Sequence, residues 1–177
     1  MIATPSKERS PAIRLTAQER RDQIVDAAVD EFALGGFGGI PAAVIALRAG
    51  VSQPYLFALS GMKRNLFIAA VQRGSERMRS LILRAAGEGG EGHDALNGVR
   101  TALLSLRRER TLPPPQLRAF AACEYMGVRT VTRAEFEKTR RALAPACGAP
   151  NRLLRSVLAQ QAMLSVAAAM DLPEAWS

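Results

Sequence analysis

Ile40-Pro41-Ala42-Ala43-Val44-Ile45-Ala46-Leu47-Arg48-Ala49-Gly50-Val51-Ser52-Gln53-Pro54-Tyr55-Leu56-Phe57-Ala58-Leu59-Ser60-Gly61-Met62-Lys63-Arg64-Asn65-Leu66 divides into two short helices and a tight turn. In the first helix, Val44, Ile45 and Leu47 surround Ala46 as a small apolar face. Pro41 fits the first helical turn, where its missing N–H leaves no ladder bond unmade. Gly50 ends the helix by accepting a left-handed conformation. Ser52 follows as an N-cap whose hydroxyl accepts a free backbone N–H, and Pro54 comes early enough in the second helix to be tolerated. A connection of about three residues has the length found in a helix-turn-helix.

Two readings of this pattern are open. In one it is a plain helical hairpin in a core, because short patterns of this kind recur by chance. In the other the second helix enters a DNA major groove and turns its N-terminal residues, Gln53, Pro54 and Tyr55, toward base edges while the first helix crosses above it.

Upstream, Thr16-Ala17-Gln18-Glu19 has the form of a capping box, so a helix is expected from there. Ile24, Ala28 and Phe32 repeat at helical spacing, with Ala27 and Glu31 alongside, and Leu34-Gly35-Gly36 is expected to stop the helix. The glycine-rich run from Gly35 to Gly39 follows a helix and lacks the Gly-Lys-Ser/Thr that a phosphate-cradling loop needs. Its Phe37 is expected to plug the core between the first two helices.

Downstream, Lys63 opens a long helix to about Ala85, with Leu66, Phe67, Ala70, Val71, Met78, Leu81 and Ile82 on its apolar side. Gly87 to Gly92 reads as a surface loop. Leu96, Val99, Leu103 and Leu106 form the stripe of the next helix, and Leu112-Pro113-Pro114-Pro115 ends that section. Three more helices are expected, at about 116–128, 133–143 and 152–170. The second would open on a capping box, Thr132-Arg133-Ala134-Glu135, and the third on Asn151 as cap. The last is apolar over more than one face, so a second subunit is expected to cover it. The fold class is all-α.

The chain of 177 residues is 48% hydrophobic and 5% aromatic, with mean hydropathy near zero. That suits a globular helical protein with one sizeable core, or a small domain sharing a helix with a larger one. The net charge of +8 points to an anionic partner, nucleic acid first and an anionic membrane surface second. Residues 1–81 and 82–177 share that charge equally, so net charge alone locates no binding face. From Phe32 to Ser75 there is no Asp or Glu, while Arg48, Lys63, Arg64 and Arg73 are present. Phosphates could approach such a window without meeting a carboxylate, although a tightly packed apolar region explains part of the pattern.

Cys123, Cys147 and the single His93 make neither a disulfide framework nor a zinc ligand set. No metal or cofactor is expected, and a reducing, cytoplasmic location fits. His93 lies at the edge of the glycine loop, and no nucleophile or acid–base constellation accompanies it, so an enzyme is not expected. Residues 1–15 are polar with no apolar run, which predicts a disordered arm rather than a signal peptide or membrane span. Its Lys7, Arg9 and Arg14 could touch DNA.

Ile24, Ala27-Ala28, Phe32, Gly36-Phe37, Ile45-Ala46, Ala49-Gly50-Val51-Ser52, Leu56-Phe57, Lys63 and Leu66 together resemble the N-terminal signature of the tetracycline-repressor (TetR) family of bacterial transcriptional regulators. The resemblance covers about 50 residues, and the ending from Leu164 to Pro173 is similar to that of some actinobacterial members. It implies a three-helix DNA-binding domain at 16–62 and a helical effector-binding and dimerisation domain at 63–177. It also implies a homodimer, joined through its C-terminal helices, that binds a palindromic double-stranded DNA operator. A small apolar or amphipathic effector would release it by changing the spacing of the two recognition helices.

By the same resemblance, Gln53, Pro54 and Tyr55 are base-facing, and Phe57 and Lys63 meet the phosphate backbone. Arg48 and Ser52 complete the expected DNA-binding set. The family's usual residues are replaced at four places: Ile40 stands for a capping Thr or Ser, Ala58 for a larger polar residue, Ser60 for an anchoring aromatic and Met62 for a small polar residue. These departures motivate an alternative, a TetR-like helical dimer with weakened DNA reading that acts as a ligand-binding or protein-interaction module. Met78, Leu103, Leu117, Phe120, Met126 and Met163 are candidates for lining the effector pocket, since Met and aromatic side chains suit adaptable cavities. Ordinary core packing is the other reading of each. Cys123 is either a redox-sensing thiol or a buried small hydrophobe. Glu124 is expected to need a partner such as Arg100 or a ligand amine.

Overall fold

Thr16 starts the first helix as its spacing predicts. Its hydroxyl accepts from the Glu19 N–H at 3.2 Å, and the Glu19 carboxylate accepts from the Thr16 N–H at 2.7 Å. The bonds that this carboxylate accepts, from the Thr16 N–H and from the Thr16 hydroxyl at 2.9 Å, hold the Glu19 carboxyl below its ordinary value. A computed structural model describes residues 15–108, 115–170 and Leu172. Most of the expected N-terminal arm, with Lys7, Arg9 and Arg14, lies outside the described residues, as do Leu112 to Pro114 and the end of the chain from Pro173.

Among the described residues all regular structure is helical: α1 Ala17–Gly39, α2 Ala42–Arg48, α3 Gln53–Ser60, α4 Lys63–Gly89, α5 His93–Arg108, α6 Pro115–Ala121, α7 Met126–Cys147 and α8 Asn151–Ala169. No single helix is long and apolar enough to cross a membrane.

Two apolar cores hold these helices together. The first gathers Ile24, Ala28 and Phe32 of α1, Ile45 and Ala46 of α2, Leu56 of α3, Leu66 and Phe67 of α4, Ala119 of α6 and Val128 of α7. The second gathers Met78, Ile82 and Ala86 of α4 with Leu96, Val99 and Leu103 of α5, Leu143 and Cys147 of α7 and Leu154 and Leu158 of α8. Burial raises the pKa of the Cys147 thiol. At 27 residues, α4 is long enough to serve both cores, since about 1.5 Å of rise per residue gives roughly 40 Å. Gly98 lets α5 press its backbone onto α4, because a Cβ there would come within 2.5 Å of the Ala85 carbonyl oxygen.

Several expectations are corrected. The glycine run does interrupt α1 at Gly36, as expected, with φ of 69° and ψ of −175°, but a further helical segment follows it to Gly39. Phe37 therefore packs beyond the first two helices, with ring centroids 5.2 Å from Phe67 and 5.0 Å from Tyr125. Leu47 is 82% exposed, so α2 holds the core through Ala42, Ile45 and Ala46 instead. The expected helix at 116–128 breaks in a turn at residues 122–125. The next helix begins at Met126, and Thr132 sits in its interior rather than at a cap. Burial of Val128 and packing of Val131 continue one apolar face through the supposed boundary, and such a face outweighs a local capping signal.

Candidate nucleic-acid interface and an adjoining cleft

The α2–α3 turn is built by backbone bonds that its sequence makes available. Gly50 takes φ of 64°, which lets its N–H reach Leu47 O at 3.1 Å and the Val51 N–H reach Ala46 O at 3.0 Å. This pair of bonds is the Schellman arrangement, and it satisfies carbonyls that the short helix leaves free. Ser52 then caps α3, its hydroxyl accepting from the Tyr55 N–H at 3.3 Å, with Pro54 in the first turn. The two helices meet at 97°, an angle typical of helix-turn-helix units.

α3 sends Leu56 and Ser60 inward and leaves Ser52, Gln53, Pro54, Tyr55, Phe57 and Ala58 on the exposed side. Ser60 is buried, and its hydroxyl donates to the Leu56 carbonyl, so a small polar side chain is accommodated where it cannot anchor by area. Gly61 ends α3 with φ of 71°. Met62 is largely exposed and gives α4 no side-chain cap. Lys63 opens α4 half-buried, its ammonium 5.2 Å above the Phe37 ring, and Arg64 beside it is exposed. The cation over the aromatic face is held without a carboxylate.

The acid-free window of the sequence is not acid-free in space. Arg48 donates to Asp30 at 3.0 Å and to Glu31 at 3.1 Å, bonds that raise its guanidinium pKa, Asp30 first. Arg73 pairs with Asp22 and, at 3.1 Å, with Asp26, which also meets Arg77 at 2.8 Å. The carboxylates of α1 therefore neutralise two of the four cations. Lys63 and Arg64 have no carboxylate partner among the described residues.

The expected effector-lining residues are not brought together. Met78 and Leu103 are buried in the second core, Leu117 is half-buried, and Met126 and Met163 are exposed. Glu124 is exposed on the turn after α6, while its expected partner Arg100 is exposed on α5. The Cys123 thiol donates to the Ala119 carbonyl.

Phe120 alone of the expected set lines a cleft with some 360 Å³ of empty space, part of it open to solvent. The other walls are Val71 and Ser75 of α4, Ala119 of α6, and Thr132, Glu135, Phe136 and Thr139 of α7. Glu135 is buried; its Oε2 accepts from Arg79 at 2.9 Å and its Oε1 from Lys138 at 2.6 Å. Burial pushes its pKa up, but the hydrogen bonds from Lys138 and Arg79 outweigh that and hold the carboxyl below its ordinary value. Thr132, buried beside it, has a hydroxyl with no hydrogen-bond partner. These α7 positions, at 132, 135, 136 and 139, have the spacing of one helix face, a signal present in the sequence. Among the described residues no group of His, Cys, Asp and Glu could hold a metal ion.

Solved structures share this arrangement. A TetR-like transcriptional regulator from Rhodococcus sp. RHA1 is 25% identical, with a TM-score of 0.59 over 88% of this chain and 85% of that one. The multidrug binding protein EbrR, complexed with imidazole, is 21% identical with a TM-score of 0.68, over 88% and 87%. The fatty acid degradation regulator FadR from Bacillus halodurans is 18% identical with a TM-score of 0.63, over 93% and 88%. No protein-family sequence profile matches the chain, and no curated protein matches it.

The helix-turn-helix and the helices stacked behind it thus define the class, an all-helical regulator fold. In particular, the chain has the fold of TetR-family transcriptional regulators, which are not enzymes.

Proposed function

We propose that the chain is a DNA-binding transcriptional regulator, a repressor that binds a palindromic operator as a homodimer in the cytoplasm and is released by a small apolar or amphipathic effector. The observation that carries this reading is α3. Ser52 caps it, Leu56, Leu59 and Ser60 tie it inward, and Gln53, Pro54, Tyr55 and Phe57 lie on its exposed side. Gln53 offers a bidentate pair to adenine, and Tyr55 meets a thymine methyl or a phosphate. Lys63 and Arg64 supply cations for the phosphate backbone, with Lys63 near the positive end of the α4 dipole. Exposed Phe136, Met163 and Met170 support a partner subunit against the C-terminal helices. The effector limb draws on the likeness to EbrR and FadR.

The test is a gel shift across the DNA flanking the chain's own gene. A sequence-specific, salt-sensitive complex is expected; its absence at low salt would overturn the reading.

One observation favours the second reading, a dimer that no longer reads DNA: Arg48 and Arg73 are paired with carboxylates of α1. Under that reading Ala58→Arg, on the exposed side of α3, creates DNA affinity where the parent has none. Strong binding by both proteins would eliminate it.

A further inference from the structure

Arg48, Lys63, Arg64 and Arg73 lie in the stretch from Phe32 to Ser75 that holds no Asp or Glu, and the fold treats them in three ways. Arg48 and Arg73 are fastened by carboxylates of α1, which also offset their charge. Arg64 is exposed. Lys63 alone of these four is held on an aromatic face, its ammonium 5.2 Å from the centroid of the Phe37 ring. A ring face attracts a cation through its quadrupole and has no net charge of its own. The whole positive charge of Lys63 is therefore left for an anion.

Phe37 is itself held from elsewhere in the chain. Gly36, at φ of 69° and ψ of −175°, takes a conformation open essentially only to glycine, so the kink rather than the phase of α1 aims the ring. The ring leans on Phe67 of α4, with centroids 5.2 Å apart, and on Tyr125, 5.0 Å away in an edge-to-face arrangement. Tyr125 is the N-cap of α7. Arg118 of α6 donates to the Leu34 carbonyl at 3.1 Å, so α6 and the start of α7 touch α1 on both sides of its kink.

We infer that Phe37 and Tyr125 are positioning residues for Lys63: Tyr125 holds the Phe37 ring, and the ring holds the ammonium in place with its charge unspent. The anion it meets is a DNA phosphate. This inference rests on the reading of the chain as a DNA-binding regulator, and it extends control of a phosphate contact to a residue of α7. Lysine has a flexible four-carbon stem, and a stem already seated on a ring loses less freedom when a phosphate arrives. The three N–H donors of the ammonium remain available to that phosphate.

The test is fluorescence anisotropy of the full chain with a labelled duplex of arbitrary sequence at several salt concentrations. Phe37→Leu keeps an apolar side chain and removes the ring face. It is expected to weaken binding about two- to fivefold per subunit at low salt and to flatten the salt slope by up to about 0.9 per subunit. Tyr125→Leu, at a position 39% exposed, is expected to shift both in the same direction by less, and Tyr125→Phe to keep the parent values. In a Lys63→Met background neither leucine substitution is expected to change binding. By NMR of the free protein, the Lys63 side-chain protons are expected upfield in the parent and at ordinary lysine positions in Phe37→Leu, because ring current reaches only a group seated on the ring.

Parent-like affinity and slope in both leucine variants would overturn the inference, and so would losses that persist in Lys63→Met, which would make the aromatic pair a packing element only. Ordinary Lys63 resonances in the parent would overturn it as well. Should Phe37→Leu fail to fold in melting experiments, Tyr125→Leu and the parent resonances decide. A parent that binds no DNA at low salt defeats the regulator reading and this inference with it, whereas DNA binding indifferent to the leucine substitutions defeats the positioning role alone.

Discussion

Asp30→Asn asks what Arg48 faces. Arg48 is held by two carboxylates of different exposure: the Asp30 side chain is 50% exposed, and the Glu31 side chain only 11%. Removing the Asp30 charge therefore leaves Arg48 tethered to α1 through Glu31, with one edge of its guanidinium open to solvent. A phosphate arriving at that edge would stand roughly 7 Å from the former Asp30 charge, and like charges at that distance in water cost roughly a factor of three in affinity. Each cation that newly meets a phosphate also adds about 0.9 to the slope of log affinity against log salt. The assay is fluorescence anisotropy with a short labelled duplex of arbitrary sequence, titrated at several salt concentrations, since the phosphate contribution needs no operator. Asp30→Asn is expected to bind about threefold more tightly at low salt, with a slope steeper by up to about 0.9. Parent-like affinity and slope would refute the reasoning and assign Arg48 to fastening α2 onto α1.

Ser52→Ala removes the hydroxyl that caps α3; it is expected to cost about 1 kcal/mol of stability, read by urea denaturation, and to weaken DNA binding. Gly98→Ala puts a methyl where the Ala85 carbonyl oxygen is 2.5 Å away, and a loss of roughly 1–3 kcal/mol is expected from the forced separation of α4 and α5. Glu135→Ala strips the carboxylate from Arg79, whose side chain is 18% exposed; because Arg79 can partly rehydrate, roughly 3 kcal/mol is expected, the low end for breaking a buried pair. The parent should also show an acid limb absent from Glu135→Gln. The folded pKa of Glu135 lies below its ordinary 4.5, so its contribution is full above that value and is lost as pH falls through the folded pKa. Thermal melts from neutral pH downward check the sign.

Local chemistry made much of the fold legible. A capping box, a left-handed glycine and a Ser cap each act within a few residues, and Thr16, Gly50 and Ser52 behave in the structure as their spacing predicts. What the sequence could not display is which distant segments share a core. Leu47 looked like part of an apolar face, yet it is exposed because Ile45 and Ala46 complete the contact with α1 and α3. The acid-free window failed for the same reason, as Asp22, Asp26, Asp30 and Glu31 come back to it from an adjacent helix.

The cleft shows how one spacing can carry two meanings. Thr132-x-x-Glu135 is a capping box when a helix starts there, because the two side chains then close onto free N–H groups. The same three-residue step inside a helix places both side chains on one face, with no free N–H for either to satisfy. Val128, fully buried four residues earlier, decides between them, since it draws α7 back past the apparent start and into the first core. Glu135 then turns to Arg79 and Lys138, but Thr132 is left without a bond. Its unmet hydroxyl is therefore a product of the packing, at the place where α4, α6 and α7 meet.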